Sequence, residues 1–203
     1  MKLLISTTLL LFIHLGIMAQ DYPRWQSVFE KSYALEKNGQ LKESLEILKD
    51  YYTADSYDFN IRYGWLYYNI GDYPNSLAYY KKAVELLPYS HEAKLGYVLP
   101  LAGMGEWDQV IGIYNSMIEL DPKNTLVNYR LGAIYYERKD YQKAYDYLEE
   151  VINLYPNDYD SNLLYAWTNF QIGKLKEAKV LFNKVLLIQP DSESALEGLK
   201  LIQ

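Results

Sequence analysis

His91 is the only histidine beyond residue 19, and the 203-residue chain contains no cysteine. A thiol or hydroxyl nucleophile paired with an imidazole, a haem ligand set and a zinc site all draw on residue types that are nearly absent. The run Gly103-Met104-Gly105 lacks the lysine and the preceding strand that a phosphate-cradling loop needs. Carboxylates are the remaining route, through Glu149 with Glu150 or Asp158 with Asp160. Adjacent acids on a helix point about 100° apart, and acids beside a turn cap helices or face water, so neither pair converges on a reacting atom. The inventory therefore predicts no catalytic residue, no metal and no cofactor.

What the chain does contain is a regular beat. Pro88, Pro122, Pro156 and Pro190 stand 34 residues apart, and the same step links Tyr63, Tyr97, Leu131 and Tyr165. It also links Tyr73, Trp107, Tyr141 and Leu175, and Tyr80, Tyr114, Leu148 and Phe182. Small residues keep it at Gly64, Gly132 and Ala166 and at Ser76, Ala144 and Ala178. Self-similarity at a fixed period of this length means stacked supersecondary units, with function on a shared surface. Within each unit, apolar residues recur at three- and four-residue steps in two runs, which predicts two antiparallel amphipathic helices.

Four full units cover residues 57–90, 91–124, 125–158 and 159–192, and a shorter copy covers 25–56, where Gly39, Ser44 and Leu48 match Gly71, Ser76 and Tyr80. In the unit 57–90 the first helix runs from about Asp58 to Ile70, with Gly71 as a left-handed cap. Asp72 caps the second helix, Pro74 sits in its first turn, and Pro88 ends it. Residues 193–203 form one more helix, with Ala195, Leu196 and Leu199 on a face that covers the end of the stack. No linker rich in Gly, Ser or Pro interrupts residues 20–203, which read as one domain. Pro100 falls inside a first helix with Gly96, Gly103 and Gly105 around it, which predicts a kink, either tolerated or acting as a hinge.

Lys2 followed by the apolar run Leu3 to Met18 and a small residue, Ala19, has the pattern of a secretory signal peptide cleaved after Ala19. An uncleaved anchor is the alternative, for which the run is short and lacks a following basic cluster. The expectation is an exported, periplasmic protein, and without cysteine it is neither a lipoprotein nor disulfide-bonded. Removing Lys2 takes the formal charge from −6 to −7, a poor match for nucleic acid or an anionic membrane.

A large and a small residue side by side in the first helix, Gly71-Asp72-Tyr73 at the turn, then Tyr80, Ala83 and a closing Pro88 resemble the tetratricopeptide repeat. The resemblance covers about five units, with Val98 and Met117 replacing small residues in the third. It implies an all-α, right-handed α-solenoid of about five helix pairs plus a C-terminal capping helix. It also implies a concave groove, lined by first helices, that binds a peptide or protein partner.

On that geometry the groove is lined by Phe29, Tyr33, Ile61, Trp65, Tyr68, Leu95, Leu99, Tyr129, Tyr136, Leu163, Trp167 and Phe170, with Tyr67 and Tyr135 turned inward. Aromatic anchors of this kind suit apolar or extended peptide segments, and they also suit sugar rings. The family's carboxylate clamp is not supported, because the slot of Arg62 and Arg130 holds Gly96 and Leu164 in other units. The two arginines are expected to hold surface acids. The leading expectation is a non-enzymatic adaptor or scaffold of the bacterial envelope that binds a protein or peptide, with no membrane segment after cleavage. Glycan binding on groove Trp and Tyr is the alternative, and self-association through tyrosine-rich faces is a third reading.

Overall fold

The computed structural model describes residues 22–202; the signal-peptide reading of residues 1–19 lies outside them. Among the described residues all regular structure is helical, and the fold is an all-α repeat solenoid. Contacts gather it into two compact units, Met1–Trp107 and Asp108–Gln203, whose border falls inside the expected repeat 91–124. The first unit contains α1 (22–37), α2 (Leu41–Leu48, prolonged by the 3-10 turn Lys49–Tyr51), α3 (Tyr57–Ile70), α4 (Tyr73–Leu86) and α5 (His91–Gly103). The second contains α6 (Trp107–Ile118) apart from its first residue, α7 (Thr125–Glu137), α8 (Tyr141–Leu154), α9 (Tyr159–Gln171), α10 (Leu175–Ile188) and α11 (Glu193–Leu201).

The 34-residue beat also sets where first helices begin. Ser56, Ser90, Asn124, Asp158 and Ser192 each accept, through the side chain, the backbone N–H three residues on, at 2.9–3.4 Å. Such caps satisfy donors that the helix itself leaves unpaired. Four residues after three of them, Asn60, Asn128 and Asn162 are buried and donate Nδ2 to the cap residue's carbonyl, at 2.6–3.0 Å. The same nitrogens reach Ala54 O, Pro122 O and Pro156 O, at 2.8–2.9 Å. Each asparagine thus staples a helix start to the preceding turn, a role the sequence reading passed over.

At the turn inside a hairpin, Gly39, Gly71, Gly105 and Gly173 adopt φ of 77–85°, as the left-handed cap at Gly71 requires. Asp72 caps α4 with Pro74 in its first turn, as expected. Lys139 occupies the equivalent place in the fourth hairpin with φ 61°, where a Cβ is strained. Lys139→Gly is therefore expected to stabilise the protein by about 0.5–1 kcal/mol, read as a higher urea midpoint at unchanged slope.

Large residues of one second helix pack into small slots of first helices. A Cβ built on Gly64 would lie 2.8 Å from the Tyr80 ring, and one on Gly96 would lie 2.2 Å from it. Gly132 meets Leu148 at 2.7 Å and Gly198 meets Phe182 at 2.3 Å in the same manner. These four glycines let helix backbones approach, and the rings fill the space at the density of a protein interior. Helix α5 continues through the buried Pro100 to Gly103. Helix α11 buries Ala195 and packs Leu199 on the Phe182 cluster but leaves Leu196 43% exposed.

Candidate functional site

Within the first unit the anticipated aromatic residues converge on a polar centre. Arg62 is 3% exposed, so it does not hold a surface acid as expected; it lies between α1, α2 and α3. Its Nε donates to Ser32 Oγ at 2.8 Å, Nη2 donates to Ser44 Oγ at 3.3 Å, and Nη1 pairs with Glu36. Its guanidinium carbon stands 4.0 Å over the ring of Tyr33, whose other surface makes it 56% exposed. The second Glu36 oxygen accepts the indole N–H of Trp65. Partial desolvation pushes the Glu36 carboxyl up, but the Trp65 and Arg62 hydrogen bonds and the Arg62 charge outweigh it and hold it below the ordinary 4.5.

This centre fixes the Trp65 side chain while its ring stays 38% exposed, 6.2 Å from Tyr68, which in turn lies 5.9 Å from Tyr73. Phe29 is half-buried, 6.3 Å from Tyr33 and edge-on to the core ring of Phe59 at 4.9 Å. Ile61, Leu95 and Leu99 are half-buried. Of the anticipated groove residues in this unit, Tyr33 and Trp65 are the exposed ones, and each contacts one member of the Arg62–Glu36 ion pair.

In the second unit Trp167 holds the same slot as Trp65 but packs differently. It is half-buried, edge-on to Phe182 at 5.0 Å and to Phe170 at 5.6 Å, and its N–H donates to Ser194 Oγ of α11 at 2.9 Å. Leu163, Trp167 and Phe170 all pack on the core cluster around Phe182. Tyr136 is half-buried, 5.4 Å from Tyr141, and Tyr129 is half-buried as well. Burial pushes the phenols of Tyr129 and Tyr136 above their ordinary value, so both stay neutral hydrogen-bonding groups.

In each doubled pair the first tyrosine stacks on a second-helix ring, and all four tyrosines are half-buried. Tyr67 stacks on Tyr79 at 5.4 Å and 7°, and Tyr135 stacks on Tyr147 at 5.6 Å and 5°, both half-buried. Lysines sit over these stacks, Lys82 at 5.3 Å from Tyr79 and Lys143 at 4.9 Å from Tyr135. The residues missed were Glu36, Ser32 and Ser44. The slot of Arg62 carried no signal for them, since it holds Gly96, Leu164 and Gly198 in other units but also the exposed Arg130.

No cluster of three metal-ligating side chains occurs among the described residues, and none of their helices is long and apolar enough to cross a membrane. A capped, stacked hairpin array that presents aromatic side chains from first helices is the architecture of an interaction scaffold. Family models described as tetratricopeptide repeat match residues 29–91 and 135–201, more than half the chain between them. The chain belongs to the tetratricopeptide repeat family.

Solved structures of similar fold include a tetratricopeptide repeat protein from Parabacteroides merdae (TM-score 0.74, 18% identity, 88% of this chain and 72% of that one). They also include MamA from Desulfovibrio magneticus RS-1 (TM-score 0.69, 18% identity, 83% and 96%). A third is YrrB, described as a TPR protein with an unusual peptide-binding site (TM-score 0.66, 18% identity, 78% and 80%). Human protein O-mannosyl-transferase TMTC1 is 33% identical over 96 residues, which is 47% of this chain and 11% of that protein's length.

Proposed function

We propose that this protein is a non-catalytic adaptor of the bacterial envelope that holds a partner protein through aromatic side chains of its first helices. The observation that carries the reading is the Trp65 ring, exposed but held in one position by its N–H bond to Glu36. An aromatic side chain ordered before binding loses little entropy on contact, and such anchors dominate interface energies. The signal-like residues 1–19 support export, and the similarity in fold to YrrB supports a peptide-sized ligand.

The test is photo-crosslinking in the expressing cell from a reactive residue replacing Tyr68, with the adduct identified by mass spectrometry. A discrete protein adduct is expected. Trp65→Ala should weaken the purified partner's binding by about 2 kcal/mol, roughly 30-fold. Unchanged affinity of a folded Trp65→Ala protein would remove this surface from the binding site.

A further inference from the structure

The outward face of α10 is unlike that of the helix one repeat earlier. Lys176, Val180, Asn183 and Leu187 follow one another at steps of four, three and four, so they share a face, with Lys179 and Lys184 flanking it. Val180 is 67% exposed and Leu187 is 85% exposed, two of the most exposed large apolar side chains among the described residues. None of the three flanking or facing lysines, Lys176, Lys179 and Lys184, takes part in an ion pair among the described residues. On α8, the residues 34 positions earlier than Val180, Asn183 and Lys184 are Asp146, Glu149 and Glu150. The outward side of α10 is therefore net basic, with Lys176, Lys179 and Lys184 against Glu177, and that of α8 is net acidic, with Asp146, Glu149 and Glu150 against Lys143. At the C-terminal end of α8, Leu154, Tyr155, Pro156, Asn157 and Asp158 line a shallow depression, and Leu154 and Tyr155 are 43% and 58% exposed.

We propose that this double face binds a second copy of the chain. Two copies related by a two-fold axis parallel to the helices and midway between α8 and α10 set each α8 against the partner's α10. Lys184 then meets Glu150, Lys179 meets Asp146, and Leu187 enters the depression at the end of α8, each contact occurring twice. An axis perpendicular to the helices would instead oppose α8 to α8, acid against acid, and α10 to α10. The charge pattern thus selects one isologous arrangement. Two helices of 14 residues, about 21 Å long, offer less than the roughly 800 Å² per partner of a standard interface. The dimer is accordingly weak and reversible, and it leaves the first-helix surfaces of both copies open.

Sedimentation equilibrium of the full chain purified from its expressing cells tests this. The mean mass should rise from monomer toward dimer with concentration. Lys179→Glu with Lys184→Glu should hold the chain monomeric, and so should Asp146→Lys with Glu150→Lys. Mixing the two reversed proteins should restore the dimer as a one-to-one heterodimer, because each then finds its complement at both contacts. A wild-type chain that stays monomeric, or association that neither reversal changes, would overturn the proposal, as would a mixture that remains monomeric. Vesicles containing anionic lipid, added in parallel, should not retain the wild-type chain; retention lost with the lysine reversal, without dimerisation, would make a membrane the occupant and overturn it equally.

Discussion

Glu36→Ala is expected to destabilise the first unit by about 3–5 kcal/mol, measured as a fall in the urea midpoint. The substitution leaves Arg62, 3% exposed, with its charge uncompensated and Nη1 without an acceptor, and it frees the Trp65 indole N–H. Losing one member of a buried pair costs far more than losing both, since the survivor's desolvation then goes unopposed. Glu36→Leu combined with Arg62→Met should therefore recover most of the loss, a coupling that a double-mutant cycle reads directly. The serines retain their own bond, Ser32 Oγ to Ser44 Oγ at 2.7 Å, in the double variant. The acid dependence follows with a definite sign. A carboxyl whose folded pKa lies below its unfolded value stabilises the fold above that unfolded value and stops doing so as pH falls through the folded one. Glu36 is held below 4.5, so wild-type stability should drop through this group in acid, and the double variant should lack that part of the slope. Equal loss in the single and double variants would show that packing, and not the charge, sets the cost.

The repeat period made the helix pairs, their turns and their end points legible, because a row of residues at one step reports one recurrent environment. Gly71, Asp72 and Pro74 do at the α3–α4 turn what their types imply. The period says less about which neighbour completes a slot. Trp65 and Trp167 occupy equivalent places, but Trp65 finds a carboxylate from α1 and remains exposed, whereas Trp167 finds Ser194 of α11 and packs on Phe182. Arg62 looked like a surface residue because arginine is rarely enclosed; the groups that make enclosure tolerable, Ser32, Glu36 and Ser44, lie 18 to 30 residues upstream. Asn60, Asn128 and Asn162 kept the period in plain view, but an asparagine's worth as a backbone staple depends on carbonyls whose direction only the folded turn defines.

Gly96→Leu should destabilise the same unit by about 3 kcal/mol or abolish folding, because a Cβ alone would already lie 2.2 Å from the Tyr80 ring. Tyr80 is 3% exposed and is pressed from its other side by Gly64, so the ring has nowhere to retreat. The chain itself contains the compensating arrangement. Phe182, large like Tyr80, is followed one repeat on by Gly198, whereas the smaller Leu148 is followed by Leu164 in the same slot. Gly132, the equivalent of Gly64, is kept beside Leu148. Tyr80→Leu with Gly96→Leu transplants that combination and should restore most of the lost stability, while Tyr80→Leu alone should leave a cavity and cost about 2 kcal/mol or more. Such non-additivity would identify the first-helix slot of Gly96 as a packing site. A double variant no more stable than Gly96→Leu alone would mean that the backbone approach at Gly96, and not the ring, sets the limit.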